Sequence, residues 1–209
     1  MPEPVIVKIS EIFFSAQGEG ARSGVPAVFL RLAGCSLGCP FCDTPQALSG
    51  GEEMEITDVL DAVFRLAPRG EGTQVVITGG EPLEQDLGRL IVELGRAGYF
   101  LSVETNGIHY QDLAVDWWTV SPKPGNGFRV HSRLRDKAEE VKIVVTPEVT
   151  PDQVGKVRDS MPRPPIFLQP NARDPRGYVV AWDLFNRCVR EGISGVRLGV
   201  QLHRVYRIP

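Results

Sequence analysis

Three of the chain's four cysteines fall in one short stretch, GCSLGCPFCDT, at residues 34–44. Cys35, Cys39 and Cys42 are spaced C-x3-C-x2-C. A disulfide uses two thiols and a closed tetrahedral zinc site uses four ligands, so three form an incomplete set. A zinc site completed by His109, His131, His203 or Cys188 accounts for it. So does a cubane iron–sulfur cluster, in which each iron takes one external ligand and three thiolates leave one iron open. Residue counting leaves both readings open. Cys188 itself stands beside Leu184, Phe185 and Val189 in an apolar helical stretch and reads as a buried structural thiol. A second stretch, TGGEP at 78–82, closes an apolar run and opens a helical one. Its two glycines let the backbone approach a ligand that a side chain would block.

These residues need a scaffold. With 209 residues, 42% of them apolar and 23% charged, the chain reads as a single globular domain spanning 1–209. A net charge of −3 gives no bulk electrostatic reason to expect a nucleic-acid partner. The opening MPEPVIVKISEIFF lacks the basic and apolar regions of a signal peptide. No apolar run approaches the ~20 residues of a membrane span. The expectation is a cytoplasmic chain with no membrane partner, where clustered thiols are metal ligands or redox groups more often than disulfides.

Strand-like runs occupy 5–15, 27–34, 74–80, 100–107, 117–123, 140–146, 166–170 and 196–203. Helical patterns occupy 57–67, opening on a Thr57 cap, then 84–98 and 179–192, with a weaker pattern at 150–161. Most strand runs are continuously apolar, as parallel strands covered by helices are. The interval between Gly107 and Trp117 is too short for a crossover helix, and 124–139 reads as a long loop. The pattern predicts an α/β fold: an incomplete, partial TIM-like barrel with a mostly parallel sheet and few helices. In such folds the C-terminal ends of the strands carry the chemistry.

With Phe41 before the last cysteine, the C-x3-C-x-F-C motif resembles that of the radical S-adenosylmethionine (SAM) superfamily, and TGGEP matches its second element. The segments FFSAQGEG (13–20), PAVFLRLAGC (26–35), VETNG (103–107), VSPK (120–123), FLQPNA (167–172) and QLHRVYRIP (201–209) resemble, in this order, the 7-carboxy-7-deazaguanine synthase family. The resemblance runs from about Ile9 to Pro209. It implies a 4Fe–4S cluster on Cys35, Cys39 and Cys42, with SAM completing the open iron and yielding a 5′-deoxyadenosyl radical on reduction. It implies a lyase that contracts 6-carboxy-5,6,7,8-tetrahydropterin to 7-carboxy-7-deazaguanine with loss of ammonia, in queuosine and deazapurine biosynthesis. Magnesium, a homodimer and an electron donor such as a flavodoxin or ferredoxin come with it.

Carried over by position, Phe41, Cys42, Asp43, Gly80, Ser121, Pro122, Lys123, Gln169, Pro170, Asn171 and Ala172 would form the SAM pocket. Thr44 matches the magnesium ligand. Ala16, Gln17, Gly18, Arg31 and Thr78 match substrate contacts, joined by Glu19, Glu104, His203 and the terminal carboxylate of Pro209. The strand 196–203 is expected to deliver His203 and RVYRIP across the barrel mouth. The chemistry suits those roles. Glu19 and Glu104 can accept from the guanidine-like edge of a pterin, Arg31 can pair with its 6-carboxylate, and a Thr hydroxyl can serve a cation that draws further oxygens from the substrate.

Plainer readings stand beside these. QGEG and NG are turn signals, Asp43–Thr44 can cap a short helix, and Ser121–Lys123 can simply begin a loop. His203 can be a surface histidine, whereas Glu104 inside a strand needs a partner. Two rivals share parts of the pattern: a glycyl-radical-enzyme activase, and a structural protein with a Cys3His zinc site. Nothing in residues 44–55 identifies a reductant-binding surface.

Overall fold

In the computed structural model, residues 5–68 and 72–209 are described. Residues 1–4 and 69–71, part of the domain read as 1–209, lie outside the described residues. Nine strands form one open sheet in the order β3-β1-β2-β4-β5-β6-β7-β8-β9. The strands are β1 (Ile6–Ala16), β2 (Pro26–Leu32), β3 (Glu52–Glu55), β4 (Gln74–Gly79), β5 (Phe100–Thr105), β6 (Trp117–Val120), β7 (Glu140–Val145), β8 (Ile166–Pro170) and β9 (Val196–Leu198). β1 pairs antiparallel with β2 and β3, and every pairing from β2 onward to β9 is parallel. The helices are α1 (Ile56–Leu66), α2 (Gly88–Arg96), α3 (Ser132–Lys137), α4 (Pro151–Ser160), α5 (Gly177–Arg190) and α6 (Leu202–Tyr206). This is the expected partial barrel, mostly parallel and sparsely covered by helices.

Because side chains alternate along a strand, each strand has two jobs. Val28, Leu30 and Leu32 of β2, Val75 and Ile77 of β4, and Val141, Ile143 and Val145 of β7 are buried in one apolar core. The intervening positions, Phe29, Arg31, Thr78, Glu104, Lys142 and Val144, line a cavity on the other face. The sequence reading caught the apolar runs but not this division.

Several local expectations are corrected. Thr57 is not a cap: α1 starts at Ile56 behind Glu55, with no side-chain cap bond. The helix expected from residue 84 begins at Gly88, after a 3-10 turn at Pro82–Glu84. The expected loop 124–139 contains α3. β3, with the sequence EEME, has no strand-like pattern; it exists because Ile6–Ile9 offers it an edge to pair with. The strand expected over 196–203 ends at Leu198, and His203 sits in α6 instead. The chain leaves the sheet at Gly199, where a Cβ would lie 2.2 Å from Gln169 Oε1. After α6, Arg207 turns the chain back with φ of 56°, and Ile208 N–H donates to the His203 carbonyl at 3.0 Å.

Among the described residues no helix is long and apolar enough to cross a membrane. α4 carries a capping box, with Thr150 and Gln153 satisfying each other's backbone N–H groups. Cys188 is fully buried on α5, and burial pushes its thiol up to about 11. Replacing it with Ala should lower stability by about 1–2 kcal/mol in urea titration, as loss of a small buried group does. Cys188→Ser should cost more, because it adds a hydroxyl to an apolar site.

Candidate active site

The cavity opens at the C-terminal ends of the parallel strands and measures about 270 Å³. Every residue that the resemblance assigns to the cluster, SAM, magnesium or substrate lines it except Pro122, which is buried. One wall is the loop after β2. Gly34 N–H donates to the Ala47 carbonyl at 2.8 Å and closes the base of that loop. Cys35, Cys39 and Cys42 are free thiols of intermediate exposure on it. Cys42 N–H bonds the Cys39 carbonyl at 3.0 Å, so the second and third thiols share one tight turn. Burial raises the Cys39 pKa, and the neighbouring Cys35 and Cys42 raise it further, against a downward pull from Lys123. Three thiolates so close together need a cationic centre.

Thr44 stands at the N-cap position of a short turn, Pro45–Ala47, but its side chain makes no cap bond. Its hydroxyl lies 3.7 Å from Cys42 Sγ. The end of β4 packs directly against this loop. A Cβ at Gly79 would lie 2.1 Å from the Leu32 carbonyl oxygen, and one at Gly80 would lie 1.9 Å from that of Gly34. With φ of 135° at Gly79, both positions demand glycine whether or not a ligand is near. Glu81, buried next to them, accepts from Leu83 N–H at 3.1 Å and from Thr105 Oγ1 and Asn106 N–H at 2.6 Å each. It thereby ties the ends of β4 and β5 together. Beyond β6, Lys123 Nζ donates to Ser121 Oγ at 2.6 Å. Burial lowers the Lys123 pKa, opposed by Cys39 and Asp43. Gln169, Pro170, Asn171 and Ala172, after the core of β8, complete this side.

The floor is a buried ionic network. Lys142 Nζ lies 2.9 Å from Glu19 Oε2 and 3.0 Å from Glu104 Oε1. Gln17 Nε2 donates to Glu104 at 3.0 Å, Gln201 Nε2 donates to Glu19 at 3.0 Å, and Thr78 Oγ1 donates to Glu104 at 3.4 Å. Burial alone would drive Lys142 toward its neutral form, but Glu104 and Glu19 outweigh it and hold its pKa high. Burial would likewise raise Glu19, yet Lys142 and the Gln201 amide hold it below the usual carboxylate range. Glu104 thus has the partner that its place in a strand required. Lys142 was missed in the sequence, although a lone lysine inside the apolar run EVKIVV carries the same signal as Glu104.

Arg31 is half-committed. Its Nε donates to Glu11 Oε1 at 2.5 Å, and the residue lines the cavity. Phe13 and Phe29 stack at 5.1 Å on the same wall, with Arg31 5.7 Å from the Phe13 ring. Leu202 N–H donates to the Gly18 carbonyl at 2.8 Å, seating α6 on the loop after β1. Burial lowers the His203 pKa, although Glu19 pulls it up. Ser15 Oγ donates to a Pro209 oxygen at 2.6 Å, which brings the last residue to the cavity wall.

The thiols fit an iron–sulfur cluster. They are unpaired, half-exposed, on one loop and on one cavity wall. A cluster spreads its protein ligands over separate irons, so they need not converge on one point. Among the described residues no three His, Cys, Asp or Glu side chains converge as ligands of a single ion. Of the candidate fourth zinc ligands, His131 stacks on Tyr110, His109 lies 3.8 Å from Glu84, and neither lines the cavity.

Comparison with known proteins gives one answer. The radical SAM superfamily pattern matches residues 30–145. The chain is 45% identical over 173 residues to the 7-carboxy-7-deazaguanine synthase of Methanospirillum hungatei, covering 78% of this chain and 72% of that one. It is 32% identical over 228 residues to the Escherichia coli K12 enzyme of the same name, covering 96% and 98%. The crystal structure of QueE from Escherichia coli superposes with a TM-score of 0.74 at 28% identity, covering 95% of both chains.

The network on the floor sets a pH test. Glu19 has a lowered pKa, so its contribution is complete above the ordinary glutamate range and is lost as the pH falls through its native value. Lys142 has a raised pKa, so its contribution persists below the ordinary lysine range and is lost only at higher pH. Wild-type stability owed to this network should therefore be level between pH 5 and 8. Lys142→Met leaves two carboxylates facing each other and should cost about 3–5 kcal/mol at pH 7. Part of that loss should return at pH 5, where one carboxylate can take up a proton. Urea midpoints at the two pH values check this.

Proposed function

The chain belongs to the radical SAM superfamily and, within it, to the 7-carboxy-7-deazaguanine synthases, and we propose that its cavity contracts 6-carboxy-5,6,7,8-tetrahydropterin to 7-carboxy-7-deazaguanine with loss of ammonia. The observation that carries this reading is the meeting of two unlike walls in one cavity: three thiols on one side, a lysine-held carboxylate pair on the other. In this reading one domain, residues 1–209, supplies both.

Cys35, Cys39 and Cys42 would hold a 4Fe–4S cluster, which with bound SAM supplies one electron and a 5′-deoxyadenosyl radical. Phe41 to Asp43, Gly80, Ser121 to Lys123 and Gln169 to Ala172 would hold SAM, largely through the backbone of the strand ends. Lys123, on the cavity wall with its Nζ on Ser121 Oγ, would meet the carboxylate of SAM. Glu19 and Glu104 would accept from the N–H groups of the pterin ring. Lys142 cancels one of their two charges, so the floor accepts a donor-rich edge without an excessive field. Arg31, held to Glu11 through its Nε, would take the substrate carboxylate, while Ala16, Gln17, Gly18 and Thr78 frame the ring. His203 on α6 and Pro209 after it would close the mouth. Thr44, whose hydroxyl makes no cap bond, would hold Mg2+ together with substrate oxygens. The same reading takes the protein to be a cytoplasmic homodimer served by a small electron carrier such as a flavodoxin or ferredoxin.

Anaerobic turnover with reductant, SAM and the pterin tests the proposal. The expected products are 5′-deoxyadenosine and 7-carboxy-7-deazaguanine. Ala at Cys35, Cys39 or Cys42 should each abolish the broad absorbance near 400 nm, SAM cleavage and turnover. Cleavage of SAM with no deazapurine formed would point to another substrate, and a colourless zinc protein would end the proposal.

A further inference from the structure

Glu84 lies outside the cavity, on the turn that follows TGGEP, and its carboxylate reaches back to the cluster loop. Ser36 N–H lies 3.1 Å from Glu84 Oε1 and 3.2 Å from Oε2, and Ser36 Oγ donates to Oε1 at 2.6 Å. That N–H belongs to the peptide joining Cys35 to Ser36. We propose that Glu84 is a positioning residue that fixes the first cysteine of the loop and keeps the cluster a strong reductant. The proposal rests on the assignment of a cluster to Cys35, Cys39 and Cys42.

The geometric part follows from a short ladder. Gly80 N–H donates to the Leu32 carbonyl at 2.9 Å, and Glu81 N–H donates to the Gly34 carbonyl at 2.8 Å. Ser36 on Glu84 makes the third rung, so alternate residues 32, 34 and 36 are fastened to one turn. The first two rungs are backbone only. The third depends on a side chain: the second rung holds the peptide that enters Cys35, and the third holds the peptide that leaves it. Two hydrogen bonds from Ser36 to one carboxylate set the plane of that peptide, and with it the direction in which Cys35 leaves the backbone. At the other end of the loop, Arg173 Nη1 approaches the carbonyls of Pro40 and Cys42 at 3.4 and 3.3 Å. The loop is thus held from outside at both ends.

The electrostatic part follows from the same contacts. Iron–sulfur potentials respond to nearby charge and to hydrogen bonds donated to the sulfurs. The anion at Glu84 disfavours an added electron. It also occupies an N–H that could otherwise turn toward a cluster or cysteine sulfur. Both effects lower the potential, which is the direction needed to give an electron to a sulfonium centre. His109 Nε2, 3.8 Å from Glu84 Oε1, is beyond hydrogen-bond distance and leaves the bonds to Ser36 intact.

The test compares wild type, Glu84→Gln and Glu84→Ala, each reconstituted anaerobically with iron and sulfide and titrated redox-potentiometrically by EPR without SAM. Glu84→Gln keeps an oxygen for Ser36 and removes the charge. It should load as much iron as wild type with a midpoint shifted positive. Glu84→Ala should shift further positive, change the g-values of the reduced cluster and lose iron to a chelator several-fold faster. Should Glu84→Ala not fold, Glu84→Gln still decides the charge effect, and Ser36→Ala, which removes the hydroxyl rung alone, should speed iron loss. Wild-type midpoints in both Glu84→Gln and Glu84→Ala, or in Glu84→Gln alone should the alanine variant not fold, would overturn the proposal. A wild-type chain that takes up no iron would overturn the cluster assignment and this proposal with it, whereas normal iron with unmoved potentials would overturn this proposal only.

Discussion

Lys142, buried between Glu19 and Glu104, is the contact on which the floor of the cavity depends. Its partners come from the loop after β1 and from β5, while Lys142 belongs to β7. One ammonium therefore joins parts of the chain that the open sheet does not hydrogen-bond to one another. Taking three charges out of water is costly, and the cost is offset only because amides from Gln17 and Gln201 fill the remaining positions on the carboxylates. Gln201 precedes α6, so the last helix is recruited by the same network. If the lysine is lost, the floor and α6 lose their common anchor.

The wall that carries the three cysteines is organised by a different constraint, the close approach of two backbones. β2 and β4 run parallel and end together, Leu32 opposite Gly79. Beyond that point Gly79 and Gly80 press on the carbonyls of Leu32 and Gly34 so tightly that neither has room for a Cβ. The glycines of TGGEP were read as clearance for a ligand. Their immediate need is clearance for the chain itself, which brings the cysteine loop and the β4 turn into one wall. The Glu81 carboxylate, burdened by burial and held by three donors, then fastens β5 to that wall.

Much of this was legible from residue types. The thiol spacing, the partial barrel and nearly all the cavity-lining residues follow from motifs that are local in the chain. What was not legible depends on distant pairing. EEME becomes a strand only because β1 lends it an edge. His203 lies in a helix and not a strand, in a segment whose Leu202 N–H is bonded to the distant Gly18 carbonyl. Pro122 has a motif position but is buried just past β6 and does not line the cavity, which its neighbours Ser121 and Lys123 do. Lys142 and Glu11 were hidden for the opposite reason. Each is one charge in an ordinary-looking strand, and only the fold shows which carboxylate or guanidinium it meets.

The central claim is that the lysine-held carboxylates form the acceptor surface for a pterin. It is tested most directly by calorimetric titration of 6-carboxy-5,6,7,8-tetrahydropterin into anaerobic, cluster-loaded wild type and Glu104→Gln. Glutamine preserves shape and removes one charge-assisted acceptor, worth about 1.5–3 kcal/mol, so pterin affinity should fall about 10- to 100-fold. The EPR change on adding SAM should be the same in both proteins. Equal pterin affinity in wild type and Glu104→Gln would contradict the account.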